Sequence, residues 1–247
     1  MIDMIDVCIV TRDPKAPHRN GVIKAIKRSD LPVGKLIIEV TRPLGMARKN
    51  AIDKVQTKWF AFIDDDVLIG RNWYAMVSKY INEDVGAIEG APIGIGYGRK
   101  LDQLILSKAL DEQVKELSVG ERGGCCAVLI RTDSVRDWKP SRPDLSSLED
   151  YEITQHILKK KLRWIRIRMP DTLHLQGWIK HLKNCMWYAS GYKKLNKYKT
   201  ISYFASTSKF CIKTIFYIII GRAKTPLSFR ILELLSNLAI LLGLMIG

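Results

Sequence analysis

Trp59-Phe60-Ala61-Phe62-Ile63 runs straight into Asp64-Asp65-Asp66. Five consecutive apolar residues after Lys58 read as a strand buried on both faces, as in a parallel sheet covered by helices. Three carboxylates then fall at its C-terminal end, the edge at which open α/β sheets bind ligands. Clustered carboxylates repel one another. A hard divalent cation that bridges to phosphate oxygens supplies the missing positive charge. The plainer reading is an acidic turn ahead of a helix near Asn72, with Asp66 or a neighbour as its cap.

Outward from this strand the pattern alternates. Val7–Thr11 reads as a first strand, followed by a helical stretch to Arg28 and a second strand over Lys35–Thr41. Gly45–Val55 and Trp73–Ile81 have helical spacing, and Val85–Glu89 is a further strand. A glycine-rich turn over Gly90–Gly98 leads into a helix predicted for Lys100–Leu117. Gly123-Gly124 precedes an apolar strand, Cys125–Ile130; a helix follows over Leu148–Lys160 and a short strand over Leu162–Arg168. Alternation of this kind predicts an α/β, Rossmann-like domain over residues 1–175, with a mostly parallel sheet and helices on both faces.

The net charge of +15 is unevenly spread. From Thr172 to Leu232 there is no Asp or Glu, yet the stretch holds eleven Lys and Arg. Apolar runs such as Phe216–Ile220 and Leu238–Ile246 are interleaved with those cations, which favours an anionic membrane surface over nucleic acid. Trp178, Leu182, Cys185, Met186, Ala189 and Tyr192 form one helical stripe. Residues 176–200 therefore read as an amphipathic interfacial helix with a basic linker, the alternative being an ordinary helix packed on the domain. Residues 201–247 read as a membrane-embedded hairpin of Tyr203–Ile220 and Leu227–Ile246, the latter long enough to span a bilayer. The basic turn between them prefers the cytoplasmic side. Either the first segment only dips into the bilayer or that turn departs from the rule. The acidic start, Met1-Ile2-Asp3, lacks the basic region of a secretory signal. The five cysteines have no metal-ligand spacing. The expectation is a cell-membrane protein whose catalytic part faces the cytoplasm.

Four features fall in order: Gly45-Met46-Ala47-Arg48-Lys49-Asn50, Asp64-Asp65-Asp66, Gly123-Gly124 and Glu149-Asp150. In these, roughly over residues 5–175, the chain resembles family 2 inverting glycosyltransferases of the GT-A fold. It departs from them by one residue inserted in the Gly-x-Ala-Arg-Asn pattern. Glu39-Val40-Thr41-Arg42 also stands where many members carry an Asp pair. The resemblance implies a nucleotide-sugar donor and a Mg or Mn cofactor held by Asp66, with Asp64 and His174 as further ligands. It implies that Asp150, with Glu149, supplies the catalytic base. Thr11, Arg12, Glu39, Arg48, Asp64, Asp65, Gly123 and Gly124 become donor-binding candidates. Base identity stays open, since guanine and uracil both offer N–H donors to Glu39.

A weaker resemblance, to the cellulose-synthase-like branch, rests on Gln176-Gly177-Trp178-Ile179-Lys180. It makes Gln176, Trp178 and Lys180 acceptor-binding candidates, with a lipid-linked acceptor at the membrane. Resemblance to short lipid-acceptor mannosyltransferases favours GDP-mannose and one sugar added per encounter to a polyprenyl- or dolichyl-(di)phosphate glycan. The alternative within the class is a polyprenyl-phosphate sugar synthase. A sugar nucleotidyltransferase lacks its glycine-rich loop here, the first strand being followed by Arg12-Asp13-Pro14-Lys15. A non-catalytic basic membrane-binding protein gives no reason for the two carboxylate groups. The sequence leaves the oligomeric state open.

Overall fold

The computed structural model describes residues 4–11, 13, 18–109, 114–142, 147–195, 207–209, 211 and 227–246. The chain divides into two compact units, Met1–Ile95 with Gln103–Leu175, and Gly96–Asp102 with Gln176–Gly247.

The first unit is built on a sheet of β1 (Ile5–Val10), β2 (Val33–Glu39), β3 (Trp59–Ile63), β4 (Val67–Leu68), β5 (Val85–Ile95), β6 (Val114–Glu116), β7 (Ala127–Arg131) and β8 (Arg163–Leu175). The order is β2-β1-β3-β7-β5-β8-β4, with β6 also paired to β8. Strands β2, β1, β3, β5 and β8 point one way, while β7, β4 and β6 run against their neighbours. Helices α1 (Arg19–Arg28), α2 (Leu44–Lys54), α3 (Trp73–Ser78), α4 (Arg99–Ala109), α5 (Thr132–Val135) and α6 (Glu149–Lys159) connect the strands.

The continuous apolar run of β3 has its explanation in two cores. Trp59, Ala61 and Ile63 pack on one side with α1 and α3, and Phe60 and Phe62 on the other with α2 and α6. Alternate residues of a strand face opposite sides, so a strand covered on both must be apolar throughout.

Two expectations need correction here. Residues Gly90–Ile95 are not a turn but the second half of β5, paired to β8 as far as Leu175. A Cβ on Gly90 would lie 2.3 Å from the Trp73 indole nitrogen, so glycine there lets α3 close onto the sheet. The helix expected to reach Leu117 is described over Arg99–Ala109, and Val114–Glu116 is not helical but forms the edge strand β6 against β8.

The second unit holds α7 (Gly177–Leu195) and α8 (Leu227–Ile246). They run parallel: His181 meets Ser236 (2.8 Å), and a Cβ on Gly243 would lie 2.3 Å from the Met186 carbonyl. Trp178, Met186 and Ala189 of the α7 stripe thus pack within this unit, against Tyr97 or α8. The bilayer span expected at Leu227–Ile246 forms as the helix α8. Among the described residues, however, no helix is long and apolar enough to cross a membrane. An Arg230–Glu233 ion pair (2.8 Å) and Asn237 occupy its first half. The clean apolar run Leu238–Ile246 reaches only about 13 Å as a helix, against a hydrocarbon core of about 30 Å. The companion segment, Tyr203–Ile220, lies outside the described residues except at 207–209 and 211.

Candidate active site

The carboxylate triplet leaves the end of β3, where the Asp64 N–H donates to the Cys126 carbonyl (2.9 Å) on the approach to β7. The three side chains diverge. Asp64 turns toward Arg48 on α2 (3.1 Å). Asp65 accepts a short hydrogen bond from the Thr11 hydroxyl at the end of β1. Asp66 is buried and meets His174 of β8 (Oδ2 to Nε2, 3.1 Å). The β4–β8 ladder sets that contact, since it pairs Val67 with His174.

Arg48 ties the triplet to α6. Its buried guanidinium donates to Asp64, to Glu149 Oε1 (3.1 Å) and to the Cys125 carbonyl (3.4 Å), and lies 4.8 Å over the Phe62 ring. Burial alone would make the cation less stable, but Asp64, Cys125 and Glu149 overcome this and raise its pKa. Burial pushes Glu149 up to about 7, with repulsion from Asp150 adding and Arg48 opposing. Asp64 is raised as well, by burial and by Asp66, against the pull of Arg48 and His174.

Helix α6 begins at the carboxylate pair, with Glu149, Asp150 and Glu152 in its first turn and His156 and Lys159 in its last. This distribution complements the helix dipole. Leu148, just ahead, has φ = 68°, a left-handed conformation that an L side chain adopts at a cost of about 1–2 kcal/mol. Strain of this kind immediately before a carboxylate pair fixes the direction from which α6 enters the site. Asp150 accepts from Arg122 through both oxygens (Nε 2.9 Å, Nη2 2.6 Å).

Between Arg122 and β7 runs Gly123-Gly124. The Gly123 N–H donates to Thr154 (3.0 Å) and the Gly124 N–H to Glu89 (3.0 Å). A Cβ on Gly123 would lie 2.3 Å from the Trp164 ring. Gly123→Ala is expected to destabilise the protein by about 1–3 kcal/mol through overpacking. A urea midpoint unchanged from the parent would show that this loop can shift away from Trp164.

Sequence reasoning missed Glu89, Arg122 and Arg166. Glu89 is buried on β5 and accepts from Gly124, from the Trp164 indole (3.1 Å) and, as an ion pair, from Arg166 (3.0 Å). Burial raises its pKa against these partners. The available signal was a lone acid closing the apolar run Val85–Ile88. Arg122 had none beyond its place beside the glycine pair.

Glu39 ends β2, where burial is outweighed by Lys54 (2.5 Å) and Thr41, which hold its carboxyl at about 2. Arg12 lies outside the described residues. Gln176, Trp178 and Lys180 belong to the second unit. There the Tyr97 hydroxyl donates to Gln176 (2.6 Å) and the Trp178 indole to the Tyr97 carbonyl (2.8 Å).

Among the described residues, no group of three or more His, Cys, Asp or Glu side chains is gathered to hold a metal ion unaided. The pair Asp66–His174 nevertheless fits a divalent cation. It offers one hard oxygen and one imidazole, with Asp64 near enough to Asp66 for the two to repel.

No protein-family model matches the sequence, and no curated protein does. Solved structures do. The mannosyltransferase PcManGT from Pyrobaculum calidifontis, in complex with GDP-Man and Mn2+, superposes at a TM-score of 0.55 with 14% identity, over 98% of this chain and 73% of that one. Residues 1–349 of S. aureus TarS, in complex with UDP-GlcNAc, give 0.50 with 14% identity, over 70% of this chain and 59% of that one. The chain therefore has the mixed α/β fold of these glycosyltransferases, the fold that its motifs resembled.

Proposed function

We propose that this chain is a metal-dependent inverting glycosyltransferase. It moves one sugar, with mannose from GDP-mannose as the favoured donor, onto a polyprenyl- or dolichyl-(di)phosphate glycan at a membrane surface. The observation that carries the reading is the junction of the two carboxylate groups. Through Arg48, the triplet at the end of β3 and the pair opening α6 meet across one sheet edge. That juxtaposition is what a nucleotide-sugar transferase needs. The solved mannosyltransferase bound to GDP-Man and Mn2+ supports the choice of donor and metal.

Asp66 and His174 are the residues that would hold the metal. Bound there, a divalent cation supplies Lewis-acid stabilisation of the departing diphosphate. Thr11 positions Asp65 on the donor side. On the other side, Asp150 takes the proton of the acceptor hydroxyl as that oxygen bonds to the anomeric carbon. The bond from the anomeric carbon to the phosphate oxygen breaks on the opposite face, and the nucleoside diphosphate leaves.

Radiolabelled GDP-mannose and polyprenyl-diphosphate chitobiose, incubated with Mn2+, should give one discrete lipid-extractable product. In Asp66→Ala, Mn2+-dependent thermal stabilisation by the donor should weaken at least tenfold in donor concentration while the metal-free melting curve is kept. A soluble polymer, labelling only from UDP-sugars, or undiminished donor binding in the variant would each overturn a stated part of the reading.

The membrane half rests on α8. Leu227, Ile231, Leu235, Leu238, Leu242 and Met245 form one stripe, exposed between 37% at Leu235 and 67% at Met245. The opposite stripe, Leu232, Ser236, Ala239 and Gly243, faces inward within the unit or meets α7. An exposed apolar stripe that follows the acid-free, basic stretch ending at Leu232 suits a helix lying in the interface of an anionic bilayer. On this reading the catalytic unit faces the cytoplasm, and Gln176, Trp178 and Lys180 accompany the lipid end of the acceptor. A Leu235→Asp, Leu242→Asp double variant loses about 1.5–3 kcal/mol of apolar burial at each site. It should fail to float with phosphatidylserine vesicles under conditions where the parent floats. Flotation of the variant would place the attachment elsewhere.

A further inference from the structure

The buried Glu89 carboxylate uses its two oxygens unequally. Oε2 holds the Gly124 N–H (3.0 Å), the Trp164 indole N–H (3.1 Å) and, as an ion pair, Arg166 Nε (3.0 Å). Oε1 accepts no hydrogen bond among the described residues. Unlike the unpartnered Glu149 Oε2, it is not sealed from solvent. A Cβ on Gly124 would lie 2.8 Å from Oε1, so glycine there leaves this oxygen uncovered. The groups on Oε2 come from a loop and from β8, so the carboxylate is held in place before any ligand arrives.

Glu89 lines a cleft of about 810 Å3, within the range of about 300–1,000 Å3 usual for small-molecule sites. His174, the partner of Asp66, lines it too, as does Cys126. Burial raises the Cys126 thiol, and Asp64, Glu89 and Asp66 add to the rise against Arg48, which puts all three carboxylates close to this one residue. Glu89 is also linked to the base. Arg166 Nη2 donates to the Arg122 carbonyl (2.7 Å), and the Arg122 guanidinium clamps Asp150. The cleft therefore adjoins both the metal pair and the base, as the pocket of a transferred sugar must. A free carboxylate oxygen asks for a hydrogen-bond donor. The diphosphate of a nucleotide sugar offers none, whereas each sugar hydroxyl offers one.

We propose that Glu89 reads the donor sugar: its Oε1 accepts a hydrogen bond from one hydroxyl of the transferred hexose and so selects among nucleotide sugars that share a base. The proposal rests on the glycosyltransferase reading. A hydrogen bond to a charged acceptor is worth about ten- to a hundredfold in affinity. A site built to bond a hydroxyl rejects the analogue that lacks it, because the buried polar group is left unpaired.

Calorimetric titration of the full chain with Mn2+ present tests this without turnover. The ligands are GDP, GDP-mannose and GDP-mannose analogues that each lack one hydroxyl, with the matching UDP-glucose series beside them; the series that the parent binds is the one read. The parent should bind the complete nucleotide sugar at least tenfold more tightly than one particular analogue. Glu89→Gln keeps the shape and leaves a carbonyl oxygen for the donors at Oε2, but removes the charge and puts an amide NH2 in place of Oε1. In this variant the gap should shrink below about threefold, while the free nucleotide binds within about twofold of the parent. Gly124→Ala keeps the carboxylate and sets a methyl group against Oε1, and it should narrow the same gap. A parent that discriminates against no analogue overturns the proposal. So does a gap that survives in both variants, or a Glu89→Gln variant that loses free nucleotide as much as nucleotide sugar, which would make Glu89 a prop of the Gly123-Gly124 loop. In each of these cases the glycosyltransferase reading stands. A parent that binds neither nucleotide nor nucleotide sugar overturns that reading, and the proposal with it.

Discussion

Asp150→Asn should lower turnover by a factor of about 100 or more while donor affinity stays within about twofold of the parent. The substitution keeps the size and one acceptor oxygen but removes the ability to take a proton. Asp150 suits the role because it opens α6 beside Glu149, with both oxygens directed at Arg122 rather than into the core. The same ion pair complicates the experiment, since asparagine also weakens the Arg122 contact. The pH profile separates the two effects. Loss of a general base removes the acid limb of the rate profile, along which that base must lose its proton. Loss of an ion pair lowers the rate at every pH. A fall of less than about threefold, with the acid limb intact, would reduce Asp150 to a helix-terminus residue paired with Arg122.

Much of this geometry was legible because it is written locally. The β3 run followed by Asp64–Asp66 needs only five apolar letters and a charge change. The start of α6 is equally local, with acids in its first turn and bases in its last. What stayed hidden depends on partners distant in sequence. Gly90 looks like turn punctuation, yet it is a strand residue whose missing side chain makes room for Trp73. Val114-Lys115-Glu116 carries too little pattern to announce a strand, and only β8 makes it one. Glu89 reads as the end of a strand. Its role is visible only when Gly124, Trp164 and Arg166 converge on it from 35 to 77 residues further along the chain. The tail misled for a different reason. Length and apolar content suggested a span, but α8 divides its residues between a face turned into its own unit and a face left outside.

Arg48→Ala should be the most destabilising of these changes, and its cost should depend on pH. Arg48 is 3% exposed and holds Asp64 and Glu149 at once. Glu149 Oε2 is buried with no hydrogen-bond partner among the described residues, so this carboxylate relies on the one oxygen that Arg48 reaches. Removing one member of a buried ion pair leaves an uncompensated charge and typically costs about 3–5 kcal/mol. Burial and Asp150 already raise Glu149 from an ordinary 4.5 to about 7 against the pull of Arg48. Burial and Asp66 raise Asp64 likewise. A carboxyl whose pKa is higher in the folded state binds its proton more tightly there. Its contribution is therefore fully present below the unfolded value and is lost as pH rises through the folded one. For Glu149 that window runs from 4.5 to about 7 in the parent. Without Arg48, both carboxyls move further up, so the variant should be least stable at pH 8 and recover part of the loss near pH 5. Urea midpoints of parent and variant at the two pH values measure the difference directly. A loss that is equal at both, or below about 1 kcal/mol at pH 8, would mean that Arg48 serves mainly as packing over Phe62. It would also mean that the two carboxylate groups are not electrostatically joined through it.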